Sequence, residues 1–357
     1  MTTDSQFHRT SPVARFLAAL LTAVAVLATL LVGTPSTAGA ETATFARNYS
    51  VYVPPTVEAE PPLVVFLHGC SQSGAAMATA TRLNELADQR GFVAAYIDQK
   101  NTFPLTYPAA DGNGLACWNW FHPDHQKRDQ GEPKIIADIT RHVVATYGVD
   151  PNRVYIMGMS AGANMTVIMA ANYPDVYAAA GVLAGCSYAA CTDQTGALTY
   201  EAMGPHARVV PMFVIHGTAD TVVPYPEGVA LVHSWLNVDD RADNGSFDGS
   251  VSHDPSAWEH HGFDQPVDPL TGDPCLRSPN WPCLGGVVGF EDEYPHTVMH
   301  YDVAGCNALD FWTIYGMEHA WPNSPGGPFT DPLGPNVTTA AFDFFHQHKL
   351  GRPCNAR

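Results

Sequence analysis

Basic residues are scarce in this chain of 357 residues. Lys and Arg number 17 against 35 Asp and Glu, which gives a formal net charge of −18, and charged residues of both signs make up only 15% of the sequence. A surface this acidic repels phosphate backbones and anionic lipid headgroups. The shortage of positive charge therefore argues against nucleic acid or an anionic membrane surface as a partner and leaves neutral or cationic partners open.

The sequence also lacks the residue spacings that hold metal ions. It has no H-E-x-x-H pair, no zinc-type grouping of its cysteines and no EF-hand loop. Polar surface loops explain the His and Asp clusters at 122–125, 239–254 and 260–261, with a structural calcium site as the alternative. We expect no metal and no cofactor, and we expect a monomer.

The N-terminal residues have the order of an export signal. Arg9 and Arg15 precede an uncharged apolar stretch at 16–32, and small residues follow up to Ala40. This pattern predicts a secretory signal peptide over 1–40, cleaved after Ala40. The alternative is a signal anchor, because 17 apolar residues approach the length that spans a membrane. After cleavage we expect a secreted, extracellular protein with no membrane attachment.

Cysteine is present in an even number, eight, in a chain whose N-terminus predicts export. Exported proteins keep their cysteines as disulfides because the compartment is oxidising. Eight cysteines allow 105 connectivities, so spacing alone does not assign the pairs. The sequence predicts four disulfides and makes a cytosolic location improbable.

The remainder of the chain is rich enough in hydrophobic residues, 46%, to bury a sizeable core. Short apolar runs alternate with helical stretches, which is typical of a parallel sheet covered by helices. Strands are predicted at 63–67, 92–97, 154–157, 178–183, 209–215 and 309–315, and helices at 75–90, 133–147, 161–172 and 338–348. The stretch 238–296 shows no sustained period and predicts an irregular insertion. We expect one α/β domain over 41–357.

A candidate nucleophile lies between one predicted strand and the next helix. Residues 158–162 read G-M-S-A-G and match the G-x-S-x-G pattern. The flanking glycines allow the sharp turn that lifts the Ser160 hydroxyl above the edge of the sheet. The alternative is an ordinary strand-to-helix turn with a capping serine. In this context the pattern favours Ser160 as a catalytic nucleophile.

A serine hydroxyl needs a base to take its proton, and the base needs a carboxylate to hold its tautomer. Asp220 follows the predicted strand 209–215, and His319 follows 309–315. Both side chains should therefore project at the same edge of the sheet as Ser160, the edge where open α/β sheets bind ligands. His296 and His300 precede the last predicted strand and are expected at the opposite edge. The sequence predicts His319 as the base and Asp220 as its partner.

Acyl transfer also needs two hydrogen-bond donors for the developing oxyanion. The first expected donor is the backbone N–H of Ala161, directly after the nucleophile. The second should come from the loop that follows an early strand, and residues 68–72, H-G-C-S-Q, follow the strand 63–67. The sequence therefore predicts Cys70 and Ala161 as the oxyanion hole.

Several segments together resemble the extracellular poly(3-hydroxybutyrate) depolymerase family of esterases, to which secreted feruloyl and acetylxylan esterases are related. These segments are H-G-C-S-Q at 68–72, C-W-N-W-F at 117–121 with G-E-P at 131–133, D-P-N-R-V at 150–154 leading into 158–162, and G-M-E-H-A-W-P at 316–322. The resemblance covers most of residues 44–350. It implies an α/β-hydrolase fold, Ser160, Asp220 and His319 as the catalytic triad, and Cys70 with Ala161 as oxyanion donors.

The cysteine pairs are predicted from short loops and, for the first pair, from the resemblance. They are Cys70 with Cys117, Cys186 with Cys191, Cys275 with Cys283, and Cys306 with Cys354. In the chain-entropy model the first disulfide, which closes a loop of about 48 residues, would stabilise the fold by about 4 kcal/mol. The alternative for Cys70 and Cys117 is a pair of buried thiols.

Three aromatic residues in loops at the predicted catalytic edge are candidates for substrate binding. They are Trp120, Tyr225 and Trp321. Aromatic faces bury aliphatic and aromatic groups well. Packing of these loops against the core is the alternative, and for Trp321, two positions after His319, a place in the substrate cleft is favoured.

The sequence as a whole predicts a serine esterase that hydrolyses an aliphatic polyester of the polyhydroxyalkanoate type, or its oligomers, through an acyl-enzyme intermediate. The alternative is a feruloyl or acetylxylan esterase acting on plant polysaccharide, and a catalytically silent binding protein is the third interpretation. Two expectations depart from the depolymerase pattern: we expect no C-terminal linker and polymer-binding module after the domain, and the segment 238–296 is longer than the usual connection. We therefore expect soluble or amorphous substrates to be cleaved faster than crystalline polymer.

Overall fold

The computed structural model describes residues 45–102, 112–262, 293–303 and 305–352, and these residues belong to one compact unit. Within these ranges nine strands form a single sheet. The strands are β1 (Tyr49–Tyr52), β2 (Leu63–Leu67), β3 (Val93–Ile97), β4 (Val154–Met159), β5 (Ala179–Leu183), β6 (Met212–Gly217), β7 (Ala257–His261), β8 (His296–Val303) and β9 (Cys306–Ile314). Their order across the sheet is β1-β3-β2-β4-β5-β6-β9-β8-β7.

The six central strands, from β3 across to β9, run parallel, whereas β1, β7 and β8 pair in the antiparallel sense. Helices cover both faces. They are α1 (Gly74–Thr81), α2 (Leu83–Arg90), α3 (Gly131–Tyr147), α4 (Ala161–Asn172), α5 (Ala197–Met203), α6 (Tyr225–Asn244) and α7 (Val337–His346). The predicted α/β architecture with a mostly parallel sheet is confirmed.

Strand β2 shows why the central strands read as unbroken apolar runs. Leu63, Val65 and Leu67 belong to the core on one side of the sheet, together with α3, α4 and α6. Val64 and Phe66 belong to the core on the other side, together with α1, α2 and α7. A strand that is covered on both faces needs apolar side chains at every position.

The helix predicted at 75–90 is two helices. Arg82 adopts a left-handed conformation, with φ 54° and ψ 26°, and ends α1 before α2 begins at Leu83. Thr81 accounts for the break, because its hydroxyl donates to the Met77 carbonyl and accepts from the Leu83 N–H. A threonine side chain that bonds to nearby backbone groups competes with the regular helical ladder.

The segment predicted as an irregular insertion, 238–296, is partly regular. Helix α6 continues to Asn244, and Ala257–His261 forms the edge strand β7. Asp240 is buried near the end of α6 and accepts hydrogen bonds from the backbone N–H groups of Asp248, Gly249 and Val251. This carboxylate therefore holds the loop that follows α6 in a defined conformation. Residues 263–292 lie outside the described ranges.

The carboxyl ends of the parallel strands meet at one edge of the sheet, as the topology requires. Ser160 follows β4, Asp220 follows β6 and His319 follows β9, so the three predicted catalytic residues lie at that edge. None of the helices described is long and apolar enough to cross a membrane. The predicted signal peptide, 1–40, lies outside the described residues.

Candidate active site

Ser160 occupies a sharp turn between β4 and α4. Its φ is 57° and its ψ is −123°, a conformation that non-glycine residues rarely adopt. Its N–H donates to the Leu183 carbonyl at 2.9 Å, and its carbonyl accepts from the Asn164 N–H at 3.0 Å. Hydrogen bonds to β5 and α4 therefore hold the strained backbone in place.

The two glycines of the G-x-S-x-G pattern are required by close packing. A Cβ on Gly162 would lie 2.1 Å from the Leu67 carbonyl oxygen, and a Cβ on Gly158 would lie 2.5 Å from the Gly162 backbone. Contacts this short are prohibited, so only glycine lets the start of α4 approach the end of β2. The approach brings the Ser160 turn against the loop that begins at His68.

His319 and Asp220 form a buried hydrogen-bonded pair. The distance from His319 Nδ1 to Asp220 Oδ2 is 2.7 Å, and the side chains are 7% and 0% exposed. The other carboxylate oxygen, Oδ1, accepts from the backbone N–H groups of Val222 and Val223 at 2.8 and 2.9 Å. With both of its oxygens engaged, the carboxylate holds the imidazole by Nδ1 and leaves Nε2 to face the reacting groups.

The surroundings of Asp220 favour its ionised form. Burial alone would raise its pKa, but the hydrogen bond from His319 and those from Val223 and Val222 outweigh burial, and the net effect lowers the pKa. A charged Asp220 is suited to stabilise an imidazolium at His319.

The loops that carry Asp220 and His319 are hydrogen-bonded to each other. Thr218 N–H donates to the Ile314 carbonyl at 2.9 Å, and Ala219 N–H donates to the Met317 carbonyl at 3.1 Å. A Cβ on Gly217 would lie 2.2 Å from the Met317 oxygen, so glycine is needed at this crossing. Residues 99 positions apart in sequence are brought together by these backbone contacts.

A second histidine, His216, lies behind this pair. Its side chain is fully buried, and its Nε2 is 2.7 Å from the Val223 carbonyl oxygen and 3.7 Å from Asp220 Oδ2. Burial lowers the pKa of His216, so the ring is neutral and donates from Nε2 to Val223. This contact supports the turn whose N–H groups bind Asp220.

The structure brings Ser160 and His319 to the same edge of the sheet but does not join them. Among the described residues no hydrogen bond connects the Ser160 hydroxyl to His319. Catalytic hydrogen bonds are often long in a free enzyme and tighten when substrate binds. The positions of the two residues are therefore compatible with a triad that closes on the substrate.

The two predicted oxyanion donors flank the serine. Ala161 is the first residue of α4, and Cys70 follows Gly69, where an added Cβ would lie 3.2 Å from the Ser160 Cβ. In the described part of the chain neither the Ala161 N–H nor the Cys70 N–H donates to a backbone carbonyl. Both donors remain available to an oxyanion at Ser160.

A disulfide joins Cys70 to Cys117, as predicted, and ties the loop after β2 to the segment 112–121. Gly69 N–H donates to Gln72 Oε1 at 2.8 Å within the same loop. Trp118 Nε1–H donates to the His68 carbonyl at 3.1 Å and is fully buried. The backbone that carries the Cys70 N–H is therefore fixed on both sides.

A buried carboxylate, Glu132, organises the segment 112–121. Its Oε2 accepts from the Asn119 backbone N–H at 2.7 Å, and its Oε1 accepts from the Asn119 side chain at 2.8 Å. Arg47 pairs with Glu132 at 3.2 Å, and Gln99 also donates to it. Gln99 N–H in turn donates to His68 Nε2 at 2.9 Å. This bond links the network to the loop 68–72, which carries the predicted donor Cys70 and is called the oxyanion loop below. The sequence signal for this residue was its G-E-P motif alone.

The other predicted disulfides divide into described and undescribed pairs. Cys186 is joined to Cys191, as predicted. Cys306 is disulfide-bonded, while Cys275, Cys283 and Cys354 lie outside the described residues, so the last two predicted pairs stay predictions. Across the described ranges no group of three or more His, Cys, Asp or Glu side chains could hold a metal ion.

The family model described as Esterase PHB depolymerase matches residues 47–246. This span is more than half of the chain and contains the Ser160 turn, the oxyanion loop and Asp220. The chain belongs to this esterase family. The resemblance read from the sequence motifs is confirmed, and His319 lies beyond the matched span.

Curated relatives of the chain carry more than one kind of name. Poly(3-hydroxyalkanoate) depolymerase C of Paucimonas lemoignei is 30% identical over 295 residues, which are 77% of this chain and 58% of the relative. Feruloyl esterase B of Neurospora crassa is 29% identical over 54% of this chain and 70% of its own length. Probable acetylxylan esterase A of Neosartorya fischeri is 29% identical over 50% and 51%. The chain thus spans between 51% and 70% of the length of these relatives, which are named as a depolymerase and as esterases.

A solved structure resembles the fold of this chain. The acetyl xylan esterase from Aspergillus awamori superposes with a TM-score of 0.56 at 20% identity, covering 84% of this chain and 94% of that one. At this identity the likeness concerns the α/β-hydrolase fold.

Two of the three predicted substrate-binding aromatics are core residues, which corrects the prediction. Trp321 is fully buried, with its ring centroid 5.4 Å from that of Phe66 and its Nε1 donating to Thr338. Tyr225 is buried at the start of α6 and stacks on Phe311 at 5.9 Å. Trp321 is 0% exposed and Tyr225 8%, so both rings pack against the core, which was the alternative for these loops. Trp120 is half-buried, and its role stays a prediction.

The expectation that His296 and His300 lie at the opposite edge is wrong for His296. Strand β8 was not predicted, and it runs antiparallel to β9, so His296 pairs with Ile314 at the end of β9 where the site lies. Its ring is sandwiched between His261 and Trp312, at centroid distances of 4.6 and 5.3 Å. His296 is thereby held within the sheet, whereas His319 is the histidine whose side chain hydrogen-bonds to Asp220 among the described residues.

Sequence reasoning missed an aromatic residue at the site. The ring of Phe329 lies edge-on to the His319 imidazole, with centroids 6.0 Å apart, and is 46% exposed. It lies in a stretch rich in Gly and Pro that carries no periodic signal.

Proposed function

We propose that the chain is a secreted serine esterase that hydrolyses an aliphatic polyester of the polyhydroxyalkanoate type, or its oligomers. The observation that carries the proposal is the buried His319–Asp220 pair, 2.7 Å apart, at the sheet edge that also holds the strained Ser160 turn. A base oriented by a carboxylate beside a serine elbow is the arrangement that acyl transfer requires.

In the proposed reaction His319 Nε2 takes the proton of the Ser160 hydroxyl as its oxygen attacks the ester carbonyl carbon. The carbonyl oxygen becomes an oxyanion and is bound by the N–H groups of Cys70 and Ala161. His319 then gives its proton to the departing alcohol oxygen, which leaves an acyl group on Ser160. A water molecule, deprotonated by His319, attacks this ester, and its collapse releases the acid and restores the serine.

The choice of a polyester is supported by the extent of similarity. The alignment with the poly(3-hydroxyalkanoate) depolymerase covers 77% of the chain, whereas the alignments with the feruloyl and acetylxylan esterases cover 54% and 50%. The longer alignment must include sequence beyond the Ser160 half of the domain. A feruloyl or acetylxylan esterase is the second candidate, because relatives of both kinds match half of the chain or more.

The nucleophile is tested with the variant Ser160→Ala. We expect turnover of p-nitrophenyl butyrate to fall by about 10⁶, with thermal unfolding close to wild type because only a hydroxyl at a half-buried turn is removed. A fluorophosphonate should label the wild type and leave the variant unlabelled. Activity above about a tenth of wild type would reject Ser160 as the nucleophile.

The substrate class is tested with a panel of emulsified polyhydroxybutyrate, methyl ferulate and acetylated xylan. We expect the highest kcat/KM per accessible ester on the polyester emulsion. A higher value on ferulate or acetylxylan would replace the polyester with the second candidate. Export is tested by sequencing the N-terminus of protein recovered from the culture medium, which should begin at Glu41.

A further inference from the structure

We propose that Phe329 is a specificity-determining residue that contacts the alcohol-side group of the ester, the part that leaves when the acyl-enzyme forms. This inference rests on the proposed function and names the substrate portion that the site selects. For a polyester, that portion is the neighbouring hydroxyacyl unit, an aliphatic chain.

The position of the ring points to the alcohol side. Asp220 holds His319 by Nδ1, so Nε2 is the nitrogen that protonates the leaving oxygen. That oxygen must come within about 3 Å of Nε2 for the proton to pass. Phe329 stands beside the same imidazole, with its ring plane at 84° to it and centroids 6.0 Å apart. Atoms attached to the leaving oxygen therefore pass next to this ring, while the acyl chain is held at Ser160 and the oxyanion donors.

The backbone of Phe329 has an unusual conformation that neighbouring segments hold in place, with the ring exposed. Its φ is 59°, in the left-handed region that a bulky non-glycine residue rarely occupies. Its carbonyl accepts from the Trp321 N–H at 2.9 Å, and the Trp321 carbonyl accepts from the Asp331 N–H at 2.8 Å. Because Trp321 is anchored in the core against Phe66, this strained backbone is fixed at the site. Strained conformations that the surroundings hold in place cluster at ligand-contacting positions.

The side chain of Phe329 lies outside the hydrophobic core, so we expect it to contribute little to the stability of the fold. Phe329 belongs to neither hydrophobic core, and 46% of its surface is exposed. An exposed aromatic ring offers an apolar face that an aliphatic group can cover. A residue with this environment is expected to act on substrate rather than on stability.

The test is the variant Phe329→Ala, assayed on two series of esters. The first series keeps the acyl group constant: butyrates of methanol, 1-butanol and benzyl alcohol, with a butyrate of glucose as the polar member. The second keeps the alcohol constant: methyl acetate, butyrate and hexanoate. The quantity compared is kcat/KM, which includes every step up to departure of the alcohol.

We expect Phe329→Ala to lower kcat/KM by roughly tenfold for butyl and benzyl butyrate relative to methyl butyrate, because the apolar contact is lost. Across the methyl esters the ratio of variant to wild type should be constant. Phe329→Leu, which keeps an apolar side chain, should restore most of the preference.

Trp258→Ala is the matched control. Trp258 is also 46% exposed and also lies edge-on to a histidine, His260, but on the edge strand β7, where it pairs with Met299 in the middle of β8 rather than with the strand end next to His319. Trp258→Ala should leave kcat/KM unchanged for every ester in both series.

An equal loss on every ester would overturn the proposal, since a structural disturbance of His319 acts on all substrates alike. A loss that follows acyl length, or one confined to the glucose ester, would also overturn it. These results are separable from failure of the proposed function, which Ser160→Ala tests. If Phe329→Ala does not fold, Phe329→Gly takes its place, because glycine adopts the left-handed backbone at this position without strain; it should show the same selective loss on butyl and benzyl butyrate.

Discussion

At the scale of single residues, the site uses positions that a regular backbone does not provide. Ser160 and Phe329 both have a positive φ, and each is held by backbone hydrogen bonds to a neighbouring segment. Each such position costs about 1–3 kcal/mol and persists only where the surroundings determine it. These two positions therefore lower the stability of the fold, and both lie at the proposed active site.

Asp220 can be tested without dismantling its turn. In Asp220→Asn the amide oxygen can still accept from the Val222 and Val223 N–H groups, while the amide N–H₂ faces His319 Nδ1. The imidazole must then carry its proton on Nε2, so it no longer accepts the serine proton. We expect kcat to fall by about 10⁴ with little change in KM.

The matched control for this variant is Asp193→Asn. Asp193 is also buried, and it accepts hydrogen bonds from the Thr199 backbone and hydroxyl away from the site. It should alter the unfolding midpoint without lowering turnover. If Asp220→Asn keeps a tenth of wild-type kcat, Asp220 does not orient the base.

At the scale of elements, the oxyanion loop and the segment 112–121 behave as one unit. The Cys70–Cys117 disulfide joins them covalently, and Glu132 at the start of α3 binds the Asn119 backbone from the other side. Gln99 connects Glu132 to His68. The N–H of Cys70 is thus positioned by three segments distant from it in sequence: 112–121, Gln99 and the start of α3.

Removing this disulfide should affect both stability and catalysis. Its cysteines are 47 residues apart, so in the chain-entropy model the double variant Cys70→Ser with Cys117→Ser loses about 4 kcal/mol of unfolding free energy. We also expect lower kcat per folded molecule, because the Cys70 donor becomes mobile. Denaturant unfolding and active-site titration with a fluorophosphonate measure the two effects.

The Cys186–Cys191 pair provides the comparison. Its cysteines are five residues apart, so the same model gives a loss of about 2 kcal/mol when both become serine. The kcat of the double variant Cys186→Ser with Cys191→Ser should stay near the wild-type value. Equal effects of the two double variants on kcat would mean that the first disulfide does not position the oxyanion donor.

At the scale of the whole molecule, buried histidines make stability depend on pH. Burial lowers the pKa of His348 to about 4, with the positive charge of Arg208 adding to the effect, and burial is also the main cause of a pKa of about 4 for His296. In the unfolded chain a histidine titrates near 6.5. Between pH 6.5 and 4 the unfolded state therefore binds protons that the folded state does not, and stability falls as the pH falls.

His348 isolates one part of this dependence. We expect His348→Met to reduce the loss of unfolding free energy between pH 7 and 4 by about 3 kcal/mol, the equivalent of a pKa displaced from 6.5 to about 4. Denaturant unfolding at several pH values measures the slope. His346→Met, on the exposed side of the same helix end, is the control and should keep the wild-type slope. An unchanged slope in His348→Met would show that the pKa of His348 is not lowered in the folded protein.

The family, the doubly covered sheet and the residues proposed as the triad could be predicted from the sequence because local chemistry determines them. The G-x-S-x-G turn needs its glycines at Gly158 and Gly162 wherever it occurs, since no Cβ fits against β2. Asp220 and His319 follow apolar strands, and parallel strands deliver such residues to one edge. Covered strands read as apolar at every position, as β2 does.

Only the tertiary structure decided which aromatic side chains are buried and which is exposed beside His319. The sequence shows Trp321 two positions from His319, but packing against Phe66 takes its ring into the core, and the backbone bond from Trp321 to Phe329 places the other ring at the imidazole. The break at Arg82 and the antiparallel strands β7 and β8 likewise depend on partners distant in sequence. Burial and exposure are set by which segments meet, and that is a property of the folded chain rather than of any local pattern.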